Sequence, residues 1–468
     1  MTARQYGFFG GLALFITLLL LPAPEGMPVE AWRVAALVAL MASWWMTEAL
    51  PLTATALLPF VALPFMTSMT TNEVAATYYS PILFLILGGA FLALAIERTG
   101  LHRRLALAII GRAGKTAWGL LFAFMAATAI LSMIVSNTST TLIMVPIAIA
   151  VLAAGGVAEG ETKGFAGALL MGIAFAASIG GIGTLVGSPT NAIAAGLINR
   201  TTGTEIDFLT WAKFGLPVVA VGIPLCLFIL IRTQRVTRMA FDIAAAKIAI
   251  GDPGAWSGAE KRLVPVIMLV VAGWVVLPFI KTYLPDGAIH DGTIAILGGL
   301  LLFVLPDGSG RPMLNWPEAN RAPWGVIMLF GGGLALASGI IASGLGTWLG
   351  EALEPLQTVP VIIIALAVTA LVVLITEFAS NVATASGVMP VIAALIVATG
   401  ADPMLLAMPA AMAASWGFML PSGTGPNAIA WASGHIALPS MLKSGFLLDI
   451  CGIPMIVLLT WGVSTLAG

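Results

Sequence analysis

Apolar runs long enough to cross a bilayer follow one another along the chain, separated by short segments of charge, Pro or Gly. At about 20 apolar residues per crossing of a roughly 30 Å hydrocarbon core, they predict spans near residues 7–22, 30–47, 51–66, 80–97, 165–199, 208–231, 263–280, 292–305, 323–342, 403–433 and 444–466. The run from Phe8 to Leu21 has no A-x-A-like cleavage site and leads straight into further spans, so it reads as the first helix. Two further segments, the uncharged 116–158 and 359–376/378–401, interrupted only by Glu377, are each long enough for a hairpin that enters and returns on one side. The expected fold is therefore an all-α polytopic membrane protein with about 11 transmembrane helices and two re-entrant hairpins.

Composition sharpens this picture. Only 9% of the 468 residues are charged and 59% are apolar, against roughly 25% charge in soluble domains. The net charge of −1 offers no basic field for a phosphate backbone, which excludes nucleic acid as a partner and leaves the lipid bilayer. All but four of the 20 Lys and Arg residues fall on one side if the N-terminus is cytoplasmic, the exceptions being Arg33, Arg200, Lys213 and Lys281. The positive-inside rule then places the N-terminus and the main loop, 232–262, in the cytoplasm and the C-terminus outside. Cys226, Cys451, His102, His290 and His435 are scattered without ligand spacing, so neither thiol nor zinc chemistry is expected.

An internal repeat runs at a constant offset of 244 residues. It pairs Leu87-Gly88-Gly89 with Gly331-Gly332-Gly333, Thr99-Gly100-Leu101 with Ser343-Gly344-Leu345, and Ser136-Asn137 with Ser380-Asn381. Asn191-Ala192-Ile193-Ala194 and Asn427-Ala428-Ile429-Ala430 match at offset 236. Each copy holds five crossings, an odd number, so the second copy is inverted relative to the first, as in many secondary transporters.

Polar residues concentrate at repeat-related places. Ser136-Asn137-Thr138-Ser139-Thr140-Thr141 interrupts the first hairpin segment one turn after Ser132, and Thr376-Glu377-Phe378-Ala379-Ser380-Asn381 interrupts the second. Non-helical backbone at membrane depth is tolerated where it is buried in protein or lines a cavity. The partner stretches Gly181-Ile182-Gly183-Thr184-Leu185-Val186-Gly187-Ser188-Pro189-Thr190-Asn191 and Pro421-Ser422-Gly423-Thr424-Gly425-Pro426-Asn427 read as broken helices. A break frees carbonyls, which suit a cation, and N–H groups, which suit an anion. Asn, Ser and Thr oxygens with free carbonyls are hard donors for Na⁺. With no Lys or Arg in either motif pair, bound cations would supply the charge an anion needs. An intramembrane enzyme would need a nucleophile, base or metal cluster, and a channel a continuous polar pore; the motifs provide neither.

With Trp44-Trp45-Met46-Thr47-Glu48-Ala49-Leu50-Pro51 added, these motifs make the chain similar, over nearly its whole length, to the divalent anion/sodium symporters. The resemblance implies a bacterial inner-membrane homodimer that couples Na⁺ flow to uptake of a small dianion, most often a C4 dicarboxylate such as succinate. Exchange, or transport of sulfate or a tricarboxylate, is the alternative on the same scaffold. It further implies an elevator, with scaffold segments 1–115 and 263–354 and transport segments 116–231 and 355–468. By position, two or more Na⁺ would use Ser132, Ser136, Asn137 and Gly187 at one site and Thr376, Ala379, Asn381 and Gly423 at the other. The substrate would meet Asn137, Thr138, Ser188, Pro189, Ser380, Asn381 and Thr424. The resemblance favours a structural role for Glu377, bonding backbone at the hairpin base, over proton carriage, and Glu48 reads as a cap or interdomain bond. The chain departs from the family pattern at Val382, which cannot donate the hydrogen bond of the usual Thr, and at Gly425, where Pro is common.

Overall fold

A backbone in hydrocarbon must satisfy its own hydrogen bonds, and helices do so within one segment. The computed structural model describes residues 3–112, 116–157, 160–237, 254–285 and 287–467, and these are helical apart from turns, loops and one isolated bridge between Pro306 and Pro312. Most of the expected loop 232–262, together with Lys115, Arg238 and Lys247, lies outside the described residues.

The first half comprises α1 (Ala3–Leu20), α2 (Val29–Thr47), α3 (Leu52–Thr55), α4 (Leu58–Met66), α5 (Thr71–Thr77), α6 (Pro81–Thr99), α7 (Leu101–Ile110), α8 (Ala117–Ser132), α9 (Asn137–Ala154), α10 (Phe165–Ile182), α11 (Pro189–Thr202) and α12 (Phe208–Thr233). The second comprises α13 (Gly258–Ile280), α14 (Asp291–Val304), α15 (Trp316–Ala319), α16 (Trp324–Ala342), α17 (Leu345–Ala352), α18 (Val361–Phe378), α19 (Asn381–Thr399), α20 (Pro403–Ala413), α21 (Gly425–Ala432) and α22 (Leu438–Ala467).

Among the described residues nine helices are long and apolar enough to cross a membrane, and three of these, α9, α18 and α19, are arms of the expected hairpins. Length therefore does not separate hairpin arms from crossings. The expected spans 165–199 and 403–433 are each two helices, α10 with α11 and α20 with α21, while 51–66 is divided into α3 and α4. Four short helices, α5, α7, α15 and α17, stand where no span is expected.

The repeat motifs have physical causes. Gly100 and Gly344 adopt φ of 77° and 76°, ending one helix and starting the next in the left-handed region that favours glycine. Gly88 and Gly332 permit close helix approach: a Cβ on Gly88 would lie 2.4 Å from the Ala295 carbonyl carbon, and one on Gly332 would lie 2.2 Å from the Ala56 oxygen. Thus α6 packs on α14 of the other repeat, and α16 packs beside α3 and α4. Glu48, at φ 48°, ends α2 in the left-handed conformation, with its N–H bonded to the Trp44 carbonyl. A second, smaller core joins α2, α4, α5 and α16, apart from the large core that contains α8, α10, α12 and α20.

Charge gathers at two places. One holds Arg98 against Asp307, Arg311 against Glu318 at 2.7 Å, Arg321 against Glu97 at 3.0 Å and Arg104 against Glu260 at 2.7 Å. The other holds Lys281 against Glu205 at 2.6 Å. Arg98, Arg104, Arg311 and Arg321 are expected on one face and Lys281 on the other.

Arg104 and Glu260 have nearly buried side chains, and Glu260 also accepts from the Ser257 N–H at the start of α13. The Arg104 guanidinium, aided by Ser257, holds the Glu260 carboxyl at about 2, against an ordinary value of 4.5. A carboxyl depressed on folding stabilises the fold fully above its unfolded value, and that contribution is lost as pH falls through the folded one. Glu260→Gln is therefore expected to lower the melting temperature of the detergent-solubilised protein by a constant amount above about pH 5, a difference that closes as pH falls toward 2. A difference that does not change with pH would contradict the ion pair.

Candidate functional site

The Ser-Asn signatures are helix starts. Ser136 is the N-cap of α9 and its hydroxyl accepts from the Ser139 N–H at 3.2 Å; Ser380 is the N-cap of α19 and accepts from the Ala383 N–H at 3.2 Å. The cap places Asn137 and Asn381 at the first helical position, where each side chain can turn back toward the preceding arm. There Ser132 Oγ donates to Asn137 Oδ1 at 2.6 Å, and Thr376 Oγ1 donates to Asn381 Oδ1 at 2.9 Å. Thr376 Oγ1 also reaches the Ala414 carbonyl at 2.8 Å. The two hairpins thus present the same oxygen pair at repeat-related positions.

Each pair faces a broken helix. A Cβ on Gly181 would lie 2.3 Å from Asn137 Oδ1, and one on Gly187 would lie 2.6 Å from the Gly181 oxygen and 3.0 Å from the Ser132 oxygen. Only glycine fits at these two points, and its fit brings Ser132, Asn137 and the carbonyl of Gly181 into one nest. In the second repeat a Cβ on Gly423 would lie 3.4 Å from the carbonyl oxygens of Glu377 and Leu420. Ala379, buried, is the residue between Phe378 and the Ser380 cap. Hard oxygens of this kind fit a small dehydrated cation such as Na⁺.

The breaks are stapled by two buried asparagines that the site prediction did not include. Asn191 Nδ2 donates to the carbonyls of Gly181 at 2.7 Å and Thr184 at 2.8 Å. Asn427 Nδ2 donates to Leu420 at 3.0 Å and Gly417 at 3.5 Å. Both residues are fully buried, and each unpaired carbonyl they prevent would cost about 1–3 kcal/mol. Their signal was present in the repeat alignment as the shared Asn-Ala-Ile-Ala. The Glu377 carboxylate has no acidic counterpart in the first repeat, where Met133 occupies the equivalent position. Glu377 accepts from the Met419 N–H at 3.0 and 3.1 Å and from the Leu420 N–H at 3.1 Å, a bond to backbone as expected, made to the break rather than to its own hairpin.

Ser188 and Thr424 are the N-caps of α11 and α21, with Pro189 in the first turn of α11. The N-termini of α9, α11, α19 and α21 thus all begin at predicted site residues, and N–H groups at helix starts favour anions. Thr138 meets the other repeat directly, since a Cβ on Gly425 would lie 2.6 Å from its Oγ1. The departure from Pro at Gly425 leaves room for that hydroxyl.

A cavity of about 230 Å³ is lined by Ser136, Ser139, Gly187, Ser188 and Pro189 and reaches Glu97 and Arg321. Ser380, Asn381, Thr424, Asn137 and Thr138 do not line it. A larger cavity of about 800 Å³, lined by Arg200, Glu205, Lys281 and Asp291, shares Leu185 with the smaller one. Leu185, in the first break, therefore stands between two openings.

The family model described as the sodium:sulfate symporter transmembrane region matches residues 3–466. A protein of Staphylococcus saprophyticus named sodium-dependent dicarboxylate transporter SdcS is 39% identical over 97% of this chain and 90% of its own length. The SdcS protein of a Staphylococcus aureus strain is 39% identical over 98% of this chain and 90% of its own length. Among solved structures, the YdaH transporter of Alcanivorax borkumensis, described as having an unusual topology, matches with a TM-score of 0.57. That match covers 94% of this chain and 99% of the other at 16% identity, a likeness of fold. The full-length match to the family model, with relatives far above 30% identity, establishes that the chain belongs to the sodium:sulfate symporter family, the divalent anion/sodium symporters, and is a membrane transporter rather than an enzyme.

Proposed function

We propose that the protein couples inward Na⁺ flow to uptake of a C4 dicarboxylate such as succinate. The observation that carries this reading is the repeated oxygen pair, Ser132 with Asn137 and Thr376 with Asn381, in which each Asn follows a helix-capping serine. Each pair with its neighbouring carbonyls would hold one Na⁺, with Ser136 and Gly187 completing the first site and Ala379 and Gly423 the second. Asn137, Thr138, Ser188, Pro189, Ser380, Asn381 and Thr424 would hold the substrate carboxylates through hydroxyls, amides and helix N-termini. Two cations would offset a dianion whose binding motifs contain no Lys or Arg, so each ligand would raise the affinity for the other. The names of the SdcS relatives support sodium as the ion and a dicarboxylate as the cargo.

Transport would proceed by an elevator in a homodimer in the bacterial inner membrane, with α1–α7 and α13–α17 as the static scaffold and α8–α12 with α18–α22 as the moving part. The two cavities that share Leu185 would then open alternately, the larger outside and the smaller toward the cytoplasm, where the N-terminus lies. The bonds from Arg200 in α11 to Ser338 in α16, at 3.0 and 3.1 Å, would break and reform as the moving part travels.

Uptake of labelled succinate, malate, citrate and sulfate into proteoliposomes, with Na⁺ replaced by K⁺ or choline, tests the reading. Saturable succinate uptake that needs Na⁺ is expected; equal uptake in choline, or uptake only against internal dianion, would overturn symport.

Three substitutions probe the assigned roles. Ser132→Ala and Thr376→Ala are expected to raise the Na⁺ concentration for half-maximal uptake several-fold, with succinate affinity near that of the wild type once Na⁺ saturates. An equal loss at every Na⁺ concentration would argue against cation ligation. Thr138→Val removes the hydroxyl that Val382 lacks in the other repeat, and a hydrogen bond to a charged group contributes about 1.5–3 kcal/mol. Succinate affinity at saturating Na⁺ should therefore fall about tenfold or more, and an unchanged affinity would remove Thr138 from the substrate contacts.

A further inference from the structure

Four segments line the cavity of about 230 Å³: α6, the turn before α16, the tip of the first hairpin and the first break. The last two bring Ser136, Ser188 and Pro189 to it, so candidate site residues open into this cavity. The first two bring Glu97 and Arg321, the only ionisable residues among its lining. Arg321 Nη2 donates to Glu97 Oε1 at 3.0 Å. The Arg321 side chain is 62% exposed and that of Glu97 30%, which puts the pair at the mouth of the cavity rather than at its floor.

The backbone on both sides of the pair is braced. Glu97 precedes Arg98 at the end of α6, and Arg98 is bonded to Asp307 and to the carbonyls of Pro312 and Met313. Arg321 follows α15, and its N–H donates to the Glu318 carbonyl at 3.1 Å. Arg98 and Arg311 are matched by Asp307 and Glu318, so the charges beside the pair cancel one another. The pair itself is loosely closed. Among the described residues the Arg321 guanidinium makes one hydrogen bond, to Glu97, and an ion pair this exposed is weak. A guanidinium can hold a carboxylate through two N–H groups at once, so a second carboxylate arriving at the mouth can displace Glu97.

We propose that Arg321 is a transient binding residue for a carboxylate of the outgoing dianion, and that Glu97 competes for the same guanidinium and so promotes release into the cytoplasm. Once the coupling cations leave, Arg321 is the only positive side chain lining the route. Left bare it would retain the dianion; Glu97, held beside it, takes the dianion's place. Both residues lie in scaffold segments, so the pair stays at the mouth while the site moves. The inference rests on the proposed symport and on this cavity being its cytoplasmic route.

Uptake of labelled succinate with Na⁺ into right-side-out membrane vesicles, loaded with increasing unlabelled succinate, tests the competition. The readout is the internal succinate concentration that halves initial uptake, divided by the external half-saturation constant of the same variant. Glu97→Gln replaces a charged competitor with a neutral one and should lower that ratio about tenfold. Arg321→Gln removes the contact and leaves Glu97 to repel the dianion, so the ratio should rise about tenfold or more. An ion pair that only braced the fold would respond alike to either change. Shifts of the same sign in the two variants, or an unchanged ratio in Glu97→Gln, would overturn the proposal. Should Arg321→Gln not fold, the sign of the shift in Glu97→Gln decides. Wild-type vesicles without Na⁺-dependent uptake would overturn the symport reading and this inference with it, whereas normal wild-type uptake with either contrary result overturns the inference alone.

Discussion

Two helices are interrupted at membrane depth, and every backbone group those interruptions release has to be bonded inside the protein. Much of the structure near the motifs answers that requirement. Asn191 and Asn427 bond the carbonyls upstream of their own half-helices. Ser188 and Thr424 cap the N–H groups downstream. Glycines at 181 and 187 let the first hairpin tip approach close enough for side-chain oxygens to join the freed carbonyls. What remains after this bonding is a small set of hard oxygens beside a set of helix starts, the arrangement in which a cation and an anion stabilise each other.

The two repeats meet the requirement differently. In the first, Thr184 Oγ1 donates to the Met133 carbonyl, so a neutral hydroxyl links the break to the hairpin. In the second, the Glu377 carboxyl accepts from Met419 and Leu420, so an acidic side chain makes the link. Val382 opposite Thr138 adds a second asymmetry. An inverted repeat with unequal halves offers its ligand unequal contacts, so the two proposed cation sites are expected to differ in affinity.

Much of this was legible in the sequence because polar residues, Gly and Pro are conspicuous in apolar runs. Ser136-Asn137, Ser380-Asn381 and both Gly/Pro stretches announced their helix starts and breaks, and Thr99-Gly100 with Ser343-Gly344 marked two left-handed caps. Other features had no such signal. The arms α9, α18 and α19 are as long and apolar as full crossings, so hydropathy does not tell a hairpin from a pair of spans. The short helices α5, α7 and α17 carry too few apolar residues to register. That α21 packs on α9, and α11 on α19, is a tertiary fact joining segments of opposite repeats.

The central claim is that the cation and anion sites are built from the same two helix breaks and so depend on each other. Calorimetric titration of the purified protein with succinate, in Na⁺ and in choline, measures that dependence without transport. The account predicts measurable binding in Na⁺, an affinity that rises with Na⁺ concentration, and a reciprocal rise of Na⁺ affinity by the same factor when succinate is present. Succinate binding of equal strength in choline would contradict it.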